Sequence, residues 1–490
     1  MSINYKLLNP DIEFSKYQKD IFEHIKKSKS HLSIEATAGS GKTFSLITAL
    51  KLIPRFKRSL FLSFSNSIVN TLKEQIPTGI QASTLHSLGN RFVTQYYPGI
   101  RVNPNKYMQL ALNLYGKKDK ETFKKAYQIQ DISSYARMTL TELELREIEK
   151  MCDKYDIMYS DDTIEKAIEL IEEDQYPSSI DFADMIYMPA VNESMIRDQF
   201  DYVFLDEAQD CSNAQIQFVQ HLLKPNIGRL ISIGDSEQSI YSFSGADIEA
   251  FNTLKSIPNT IELPLSVSYR CSKRVVEEAR KLSNKIESSK DAQEGEVRTG
   301  FFNEIEEGDM VIARNNAPLI DCYFQLIESG KKAKIYGRDI EKGIVQIAER
   351  CMHRIHDRFI ENLYSELDKV LDDLVKKGVK QPSKHVRFGN MADKVELLEI
   401  VANKCNSTSE IVPLIKDMFT ENLNEGVKLM TCHKAKGLEN DTVFIMDKYK
   451  GKHLIPSQYA TQKWQLEQEK NLQFVAVTRA KNKLIYFNLS

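Results

Sequence analysis

A glycine-rich stretch near the amino terminus has the residue types needed to hold phosphate groups. ATAGSGKT (36–43) lies between the apolar run HLSIEA (31–36) and the helical pattern TFSLITALKLI, the strand–loop–helix context of a phosphate-binding loop. Glycine lets the backbone turn tightly and point its N–H groups at phosphate oxygens. Lys42 supplies a positive charge for the β- and γ-phosphates, and the Thr43 hydroxyl can ligate Mg²⁺. The loop residues predicted to bind the nucleotide are Ala38, Gly39, Ser40, Gly41, Lys42 and Thr43.

An acidic pair follows a second buried strand. FLDEAQD (204–210) places Asp206 at the end of that strand and Glu207 beside it. Asp206 can hold Mg²⁺ directly or through water, and Glu207 can orient and deprotonate an attacking water. Each motif has a plainer interpretation: the acidic pair as a helix cap, and the loop, with Ala36 where the strict pattern has glycine, as a chance turn. Together they predict an enzyme that hydrolyses ATP with Mg²⁺.

The alternation of strand-like and helical runs predicts an α/β fold with parallel sheets. This alternation stops near Arg91, resumes at DYVFLDEA (201–208), and starts a second time near residue 265. The intervening segments are charged and helical, and the first of them contains no strand signal. The predicted division is 1–90 with 186–264 as a first α/β domain, 91–185 as its helical insertion, 265–342 with 421–490 as a second α/β domain, and 343–420 as a smaller helical insertion.

Composition limits the partners and the compartment. The formal net charge of the 490 residues is −2, so a nucleic-acid partner is expected in a local groove and not on a broad basic face. The seven cysteines are scattered without CxxC spacing, which predicts a reducing cytoplasm. The amino terminus lacks a signal-peptide pattern, and no apolar run is long enough for a bilayer, so no membrane partner is expected.

An ordered series of further motifs resembles the UvrD/Rep/PcrA class of superfamily 1 helicases. LDEAQD resembles motif II of that class. The later matches are GDSEQSIYSFSGAD (234–247) with motif III, LPLSVSYRCS (263–272) with motif IV, VKLMTCHKAKGLEND (427–441) with motif V and NLQFVAVTRAKNKL (471–484) with motif VI. The upstream matches are FSKYQ (14–18) with the Q motif, FLSFSNS (61–67) with motif Ia and STLHSLG (83–89) with the next DNA-contacting motif. The resemblance covers both α/β cores and implies two RecA-like P-loop NTPase domains, each with a mostly helical insertion.

The resemblance implies further contacts to ATP. Gln18 of the Q motif has an amide that can pair with a donor and an acceptor on adenine. Tyr269 is expected to stack on the base, and Glu439 of KGLE is expected to hold the ribose. These three residues add adenosine contacts to the phosphate contacts of the loop.

The same resemblance implies a set of residues that respond to the γ-phosphate. Gln238 is placed to sense it and to connect it to the DNA track. Arg270 and Arg479 resemble arginine fingers, which contribute on the order of 10³–10⁵ in rate; the alternative for each is an ordinary surface arginine. In this class ATP lies between the two domains, so binding and hydrolysis close and open the cleft and drive movement.

Candidate DNA contacts lie in the matching motifs, where aromatic side chains can stack on bases. The residues are Phe64, Asn66, His86, Tyr241, Phe243, Thr431 and His433. A core position is the alternative for Phe64. Related helicases have Trp where Phe243 stands and Arg where Ser244 stands, so a stacking side chain is kept and a phosphate-binding charge is missing.

The leading hypothesis is an ATP-dependent helicase or translocase on single-stranded DNA and on single-strand/duplex junctions, with the 3′-to-5′ polarity that the resemblance implies. A different class of function is an ATP-gated DNA clamp or sensor that works with a nuclease partner, for instance in antiphage defence. A replication protein is another possible partner. An RNA helicase is a third alternative, although nothing in the motifs recognises a 2′-hydroxyl.

Overall fold

The computed structural model describes residues 3–64, 69–70, 79–116, 119–155, 157–174, 177–240, 250–376, 379–422 and 425–489. The chain divides into two compact units, Met1–Ser266 and Val267–Ser490. Each unit is built around a parallel β-sheet, so the predicted α/β class with parallel sheets is confirmed.

The first unit contains a six-stranded parallel sheet. The strands of this unit are β1 (His31–Ala36), β2 (Ser59–Leu62), β3 (Ile80–Ser83), β4 (Arg101–Val102), β5 (Ser179–Ile180), β6 (Tyr202–Leu205), β7 (Arg229–Gly234) and β8 (Thr260–Leu265). The sheet has the order β3-β2-β6-β7-β1-β8, with Leu32 of β1 opposite Ile231 of β7 and Ile261 of β8. Both β1 and β6 run parallel to β7, so the loops after them leave the same edge of the sheet.

Helices cover both faces of this sheet. The helices of the first unit whose bounds lie in the described ranges are α1 (Tyr5–Leu8), α2 (Lys16–Lys27), α3 (Lys42–Leu50), α4 (Leu85–Tyr96), α5 (Lys106–Tyr115), α6 (Lys120–Thr139), α7 (Leu145–Tyr155), α8 (Asp161–Glu173), α9 (Asp184–Val191), α10 (Asn213–His221) and α11 (Ala250–Lys255). Phe61 and Phe204 pack with α2 and α3 on one face, whereas Leu60 and Leu205 pack with α4, α9 and α10 on the other. Successive strand residues therefore enter opposite cores, which explains why these strands are apolar throughout.

The helical insertion of the first unit has its own hydrophobic core, formed by α5 to α8. The expectation that this segment contains no strand was wrong, because β4 and β5 pair in parallel, with Arg101 opposite Ser179 and Val102 opposite Ile180. Strands of two residues are too short to show an alternating pattern, so sequence periodicity does not detect them.

A buried ion network connects this insertion to α9. The Arg137 guanidinium of α6 donates to both carboxylate oxygens of Asp181, at 2.9 and 2.7 Å, and also to Asp184. Lys106 of α5 donates to the other oxygen of Asp184 at 2.7 Å, and the Arg137 guanidinium lies 4.0 Å from the centre of the Tyr107 ring. Removing one member of a buried ion network leaves an uncompensated charge and costs roughly 3–5 kcal/mol. The network therefore holds α5 and α6 against the start of α9, whose later residues pack in the sheet core.

The second unit contains an eight-stranded sheet. Its strands, with a separate β9–β10 pair, are β9 (Val267–Ser268), β10 (Glu287–Ser288), β11 (Glu296–Thr299), β12 (Met310–Ala313), β13 (Ala333–Tyr336), β14 (Phe419–Thr420), β15 (Val427–Thr431), β16 (Asn440–Tyr449), β17 (Lys452–His453) and β18 (Ala480–Leu489). The sheet has the order β11-β18-β16-β12-β15-β13-β14 with parallel pairing, and β17 adds to β16 in antiparallel pairing. In the second α/β segment the apolar runs DMVIARN (309–315), AKIYG (333–337), VKLMTCH (427–433), TVFIMD (442–447) and KLIYFNL (483–489) predict strands. The structure confirms them as β12, β13, β15, β16 and β18.

The helices of the second unit are α12 (Lys273–Arg280), α13 (Asn316–Glu328), α14 (Arg338–Cys351), α15 (His356–Lys376), α16 (Val386–Lys404), α17 (Ile411–Met418) and α18 (Lys463–Val477). Unlike the insertion of the first unit, α14 to α17 share one hydrophobic core with the sheet: Phe359 and Val401 belong to the same cluster as Val311 and Leu429.

The seven cysteines are all free thiols, and six of them are buried. Among the helices in the described ranges, none has the length and apolar composition that crossing a membrane requires.

Candidate nucleotide-binding site

The glycine-rich loop connects the carboxyl end of β1 to the start of α3. Gly39 and Gly41 have φ of 71° and 76°, in the left-handed region that disfavours residues with a side chain. Ser40 is buried, and its hydroxyl donates to the Thr37 carbonyl at 2.8 Å. Helix α3 begins at Lys42 with Gly41 as its N-cap. The first N–H groups of a helix have no partner within it and attract anions, so the predicted loop has the local structure that phosphate binding requires.

A short hydrogen bond connects this loop to the acidic strand end. The Thr43 hydroxyl donates to a carboxylate oxygen of Asp206 at 2.6 Å. Asp206 is fully buried, and burial, followed by the charge of Glu207, raises the pKa of Asp206 to about 6. The Thr43 hydrogen bond and the charge of Lys42 act in the opposite direction. The structure therefore places together Lys42, Thr43, Asp206 and Glu207.

The residues at this point fit a magnesium ion. A hydroxyl and a carboxylate are hard oxygen ligands, and a buried carboxylate with a raised pKa is stabilised in its charged form by a cation. Among the residues that the structure describes, no group of three or more His, Cys, Asp or Glu side chains could enclose a metal. A site with one carboxylate and one hydroxyl suits Mg²⁺, which usually keeps several waters and binds one or two carboxylates together with substrate phosphates.

The backbone at Glu207 is in a conformation that non-glycine residues rarely adopt. Its φ and ψ are 51° and 42°, a left-handed conformation that costs of order 1–3 kcal/mol. The Glu207 carboxylate accepts a hydrogen bond from the side-chain amide of Gln209 at 2.7 Å. Strain of this kind is found at functional sites, which agrees with the predicted catalytic role of Glu207.

Gln238 lies on a turn beyond β7. The residue is buried, and its amide donates to the Asp235 carboxylate at 2.6 Å. Burial raises the pKa of Asp235, against the opposing effects of Lys42 and Gln238. Since Lys42 acts on both buried carboxyls, Asp206 and Asp235, the phosphate loop and the Gln238 turn belong to one electrostatic site in the first unit.

The predicted adenine-reading residue has a structural role that sequence analysis missed. Gln18 completes a capping box at the start of α2: its backbone N–H donates to the Ser15 hydroxyl, and its side-chain oxygen accepts from the Ser15 N–H. Its amide nitrogen also donates to the Ser45 hydroxyl of α3 at 3.1 Å. A glutamine amide has two donor and two acceptor positions, so one of each is left for a base, and the adenine role stays a prediction.

Two predicted DNA-contacting residues line one small cavity in the first unit. Phe64 and His86 form its walls together with Thr84 and Gln215. Phe64 is 40% exposed, so the alternative of a buried core position is wrong. Burial lowers the pKa of His86, which favours the neutral imidazole. The predicted contacts Asn66, Tyr241 and Phe243 lie outside the described residues.

In the second unit, two predicted nucleotide-binding residues form an ion pair with each other. The Nε of Arg270 donates to the Glu439 carboxylate at 2.6 Å. Lys481, which sequence analysis did not single out, binds the other carboxylate oxygen at 2.8 Å. Burial raises the pKa of Glu439, but the hydrogen bond from Lys481 and the charge of Arg270 outweigh burial, so the pKa is lowered overall. Tyr269 is 50% exposed, as a residue that stacks on a ligand must be.

Arg479, the second predicted arginine finger, is almost fully buried. Its guanidinium donates to the carbonyls of Val475 and Leu438, at 2.9 and 3.1 Å, and to the Thr478 hydroxyl at 3.1 Å. These contacts attach the end of α18 to the turn that follows β15. They identify a packing role that the motif alone does not reveal, and the finger role stays a prediction.

The predicted DNA contacts of motif V lie at the end of β15. Thr431 is buried, and its hydroxyl is 3.4 Å from the backbone N–H of Lys434. Burial, with the charges of Arg314 and Lys434, lowers the pKa of His433 to about 3. His433 is therefore neutral at physiological pH, and any contact that it makes to DNA is a hydrogen bond and not an ion pair.

A glycine-rich loop, a buried acidic strand end and the turn that holds Gln238 lie on one parallel sheet, and together they define a P-loop nucleotide-binding protein. The profile of the UvrD/REP helicase N-terminal domain matches residues 16–258, the segment that contains all three features. The protein is a UvrD/Rep/PcrA-like member of helicase superfamily 1.

Curated relatives agree with this assignment. The chain is 26% identical over 292 residues to the ATP-dependent DNA helicase Rep of Buchnera aphidicola (53% of this chain, 42% of the relative). It is 28% identical over 331 residues to the ATP-dependent DNA helicase PcrA of Bacillus subtilis (60% and 44%) and 23% identical over 403 residues to DNA helicase II of Escherichia coli (59% and 56%). The matched region thus spans about half the length of these relatives.

Proposed function

We propose that the protein is an ATP-dependent DNA helicase or translocase that moves 3′-to-5′ along single-stranded DNA. The observation that carries the proposal is the 2.6 Å hydrogen bond between Thr43 and Asp206. It joins the phosphate loop to the acidic strand end, which are the two parts that every P-loop motor needs for hydrolysis. The names of the relatives support DNA as the polymer, and the polarity rests on the resemblance alone.

Each residue of the site has a distinct task in the proposed hydrolysis. Lys42 neutralises the β- and γ-phosphates, and Glu207 orients the attacking water and accepts its proton. Thr43 and Asp206 would hold Mg²⁺, which when bound supplies charge that stabilises the phosphate oxygens. Gln238 responds to the γ-phosphate.

The second unit contributes further residues to the proposal. Arg270 and Arg479 are proposed to stabilise transition-state charge, Tyr269 to stack on adenine, and Glu439 to hold the ribose. For Arg270 and Glu439 these tasks require the two side chains to exchange their mutual ion pair for contacts to the nucleotide.

The DNA track is proposed to include the cavity between Phe64 and His86. An exposed phenylalanine can stack on a base, with a contribution of roughly 1–3 kcal/mol. Thr431 and the neutral His433 are proposed as hydrogen-bonding residues on the second unit, and Asn66, Tyr241 and Phe243 complete the proposed set.

A second candidate function is an ATP-gated DNA clamp or sensor that depends on a nuclease partner for its effect. Two features of the sequence favour it: the small segment 343–420, and Phe243 with Ser244 in place of the Trp and Arg of related helicases. A clamp or sensor can bind DNA through few contacts. A helicase needs more of them, because it must hold the single strand tightly during every step of strand separation.

The test combines hydrolysis with unwinding. The ATPase rate is measured with and without single-stranded DNA, together with unwinding of matched duplexes that have a 3′ or a 5′ tail. DNA-stimulated hydrolysis with unwinding from the 3′ tail alone supports the helicase and its polarity. Stimulation without unwinding favours the clamp or a translocase. No stimulation by DNA would refute the motor function for this chain.

A further inference from the structure

Gln209 connects the predicted catalytic carboxylate to the neighbouring strand. The residue lies in a single 3-10 turn, Ala208–Asp210, directly after Glu207, and is only 1% exposed. Its amide nitrogen donates to the Glu207 carboxylate at 2.7 Å, and its amide oxygen accepts from the backbone N–H of Asp235 at 3.0 Å. One side chain thus bridges the ends of β6 and β7.

The two closest partners of the Gln209 amide, the Glu207 carboxylate and the Asp235 N–H, allow only one orientation of it. The same –NH₂ group also lies 3.4 Å from a carboxylate oxygen of Asp210, which likewise can only accept. The carboxylate of Glu207 can only accept, so the –NH₂ group must face it, while the Asp235 N–H can only donate and requires the carbonyl oxygen. A hydrogen bond to a charged acceptor is stronger than one between neutral groups. The bridge therefore orients the Glu207 side chain from a fixed point on the backbone of β7.

The backbone of β7 packs closely against the bridge at Gly234. Gly234 ends β7, and a Cβ atom at this position would lie 2.8 Å from the Gln209 side-chain oxygen and 3.0 Å from its backbone nitrogen. The close approach of β7 to the turn thus requires glycine at 234. Beyond it, the Asp235 carboxylate binds Gln238, so the bridge ends on the turn that carries the predicted γ-phosphate sensor.

The left-handed backbone at Glu207 explains why such a bridge is needed. A strained residue keeps its conformation only when its surroundings impose it, and a general base must be held within hydrogen-bond reach of the water that it deprotonates. We infer that Gln209 is a positioning residue for ATP hydrolysis, which acts by holding the Glu207 carboxylate through its amide. This inference rests on the proposed function, since it assumes that Glu207 is the general base.

Two substitutions of similar size distinguish the hydrogen bond of Gln209 to Glu207 from its hydrogen bond to the Asp235 N–H. Gln209→Met removes both hydrogen bonds of the bridge and the longer one to Asp210. Gln209→Glu keeps an acceptor for the Asp235 N–H and loses the donor to Glu207 and Asp210. If positioning of Glu207 is what matters, both variants lower kcat roughly 10- to 100-fold, because a displaced catalytic group costs about 10²-fold. KM for ATP should stay within about threefold, because the phosphate loop is untouched. Wild-type turnover by Gln209→Glu would overturn the inference, as would unchanged kcat in Gln209→Met.

A double-mutant cycle tests whether Gln209 acts through Glu207. Single-turnover hydrolysis is measured for Glu207→Gln, Gln209→Met and the double variant. Residues that act as one unit are strongly non-additive, so the double variant should be no slower than Glu207→Gln alone. Multiplied losses would show an independent structural effect and overturn the inference.

Controls separate this inference from folding and from the proposed function. Gln199→Met removes another side-chain hydrogen bond of the first unit, to the His221 carbonyl at 3.3 Å, and should keep full activity. Thermal unfolding of Gln209→Met should resemble that of Gln199→Met. A wild-type rate no higher than that of Lys42→Ala would refute the proposed function and this inference together. Normal wild-type turnover with an inactive Glu207→Gln and a fully active Gln209→Met would refute this inference alone.

Discussion

The two units hold their predicted nucleotide-binding residues in different ways. In the first unit, neutral donors orient the carboxylates: the Thr43 hydroxyl binds Asp206 and the Gln209 amide binds Glu207. In the second unit, Arg270 is paired with the carboxylate of Glu439. Neutral donors fix a carboxylate without cancelling its charge, whereas an ion pair neutralises both partners. The first site is therefore ready for its ligand, and Arg270 must exchange one anionic partner for another.

Lys42→Ala should have the largest effect on the nucleotide-binding site of the first unit. Lys42 is the one charged residue of ATAGSGKT (36–43), so no other residue of this loop can neutralise the β- and γ-phosphates. Its removal should therefore reduce ATP turnover to background. Steady-state phosphate release measures this loss. Lys51→Ala is the matched control, since Lys51 follows the other end of α3 and its ammonium donates to the Leu8 carbonyl at 2.8 Å. Turnover by Lys42→Ala would contradict the assignment of the loop.

Glu207→Gln should separate binding from chemistry in the same site. The amide keeps the shape of the side chain but cannot accept a proton, so kcat should fall roughly 10²–10⁴-fold while ATP still binds. Rapid-quench hydrolysis and a fluorescent-nucleotide titration measure the two quantities. Exposed Glu193→Gln serves as a control for the loss of one negative charge. Near-normal turnover in Glu207→Gln would show that another group is the base.

Asp206→Asn should stabilise the nucleotide-free first unit at neutral pH. The folded pKa of Asp206, about 6, lies above the ordinary value of 3.8, so Asp206 reduces stability as the pH rises through this interval. Asparagine avoids that loss, and the gain should approach about 3 kcal/mol above pH 6 and disappear near pH 4. Calorimetry of the first unit across this pH range provides the measurement. A gain that does not depend on pH would argue against a raised pKa.

Glu439→Gln should have the smallest effect on stability, because the Arg270–Glu439 pair is partly exposed. Breaking it should cost less than about 1 kcal/mol of unfolding free energy, and less still in high salt. The loss of the carboxylate should instead change KM for ATP, if Glu439 holds the ribose. Comparison of KM for ATP and for 2′,3′-dideoxy-ATP tests this: the preference for ATP should shrink in the variant. Equal preference in both proteins would remove Glu439 from the ribose site.

Much of the fold could be predicted from the sequence because interior parallel strands are apolar on both faces. The strands β1, β2, β6 and β7 are interior strands of this kind, and the helix after the glycine-rich loop is predicted from the helical pattern TFSLITALKLI. The edge strands β3 and β8 were missed, because IQAS is partly polar and TIELPL has several exposed residues. The two-residue strands β4 and β5 were missed because they are too short to have a period.

The sequence by itself determined which residue types stand at the first site, and so the chemistry proposed for it. Lys42, Thr43, Asp206 and Glu207 were identified because phosphate and magnesium chemistry demands these residue types at strand ends, where local order is sufficient to place them. Only the tertiary structure decided which partners those groups have. Gln209 reaches Asp235 across 26 positions of sequence and Arg270 reaches Glu439 across 169. Contacts at such separations arise from the order of the strands, and the residue types alone do not specify them.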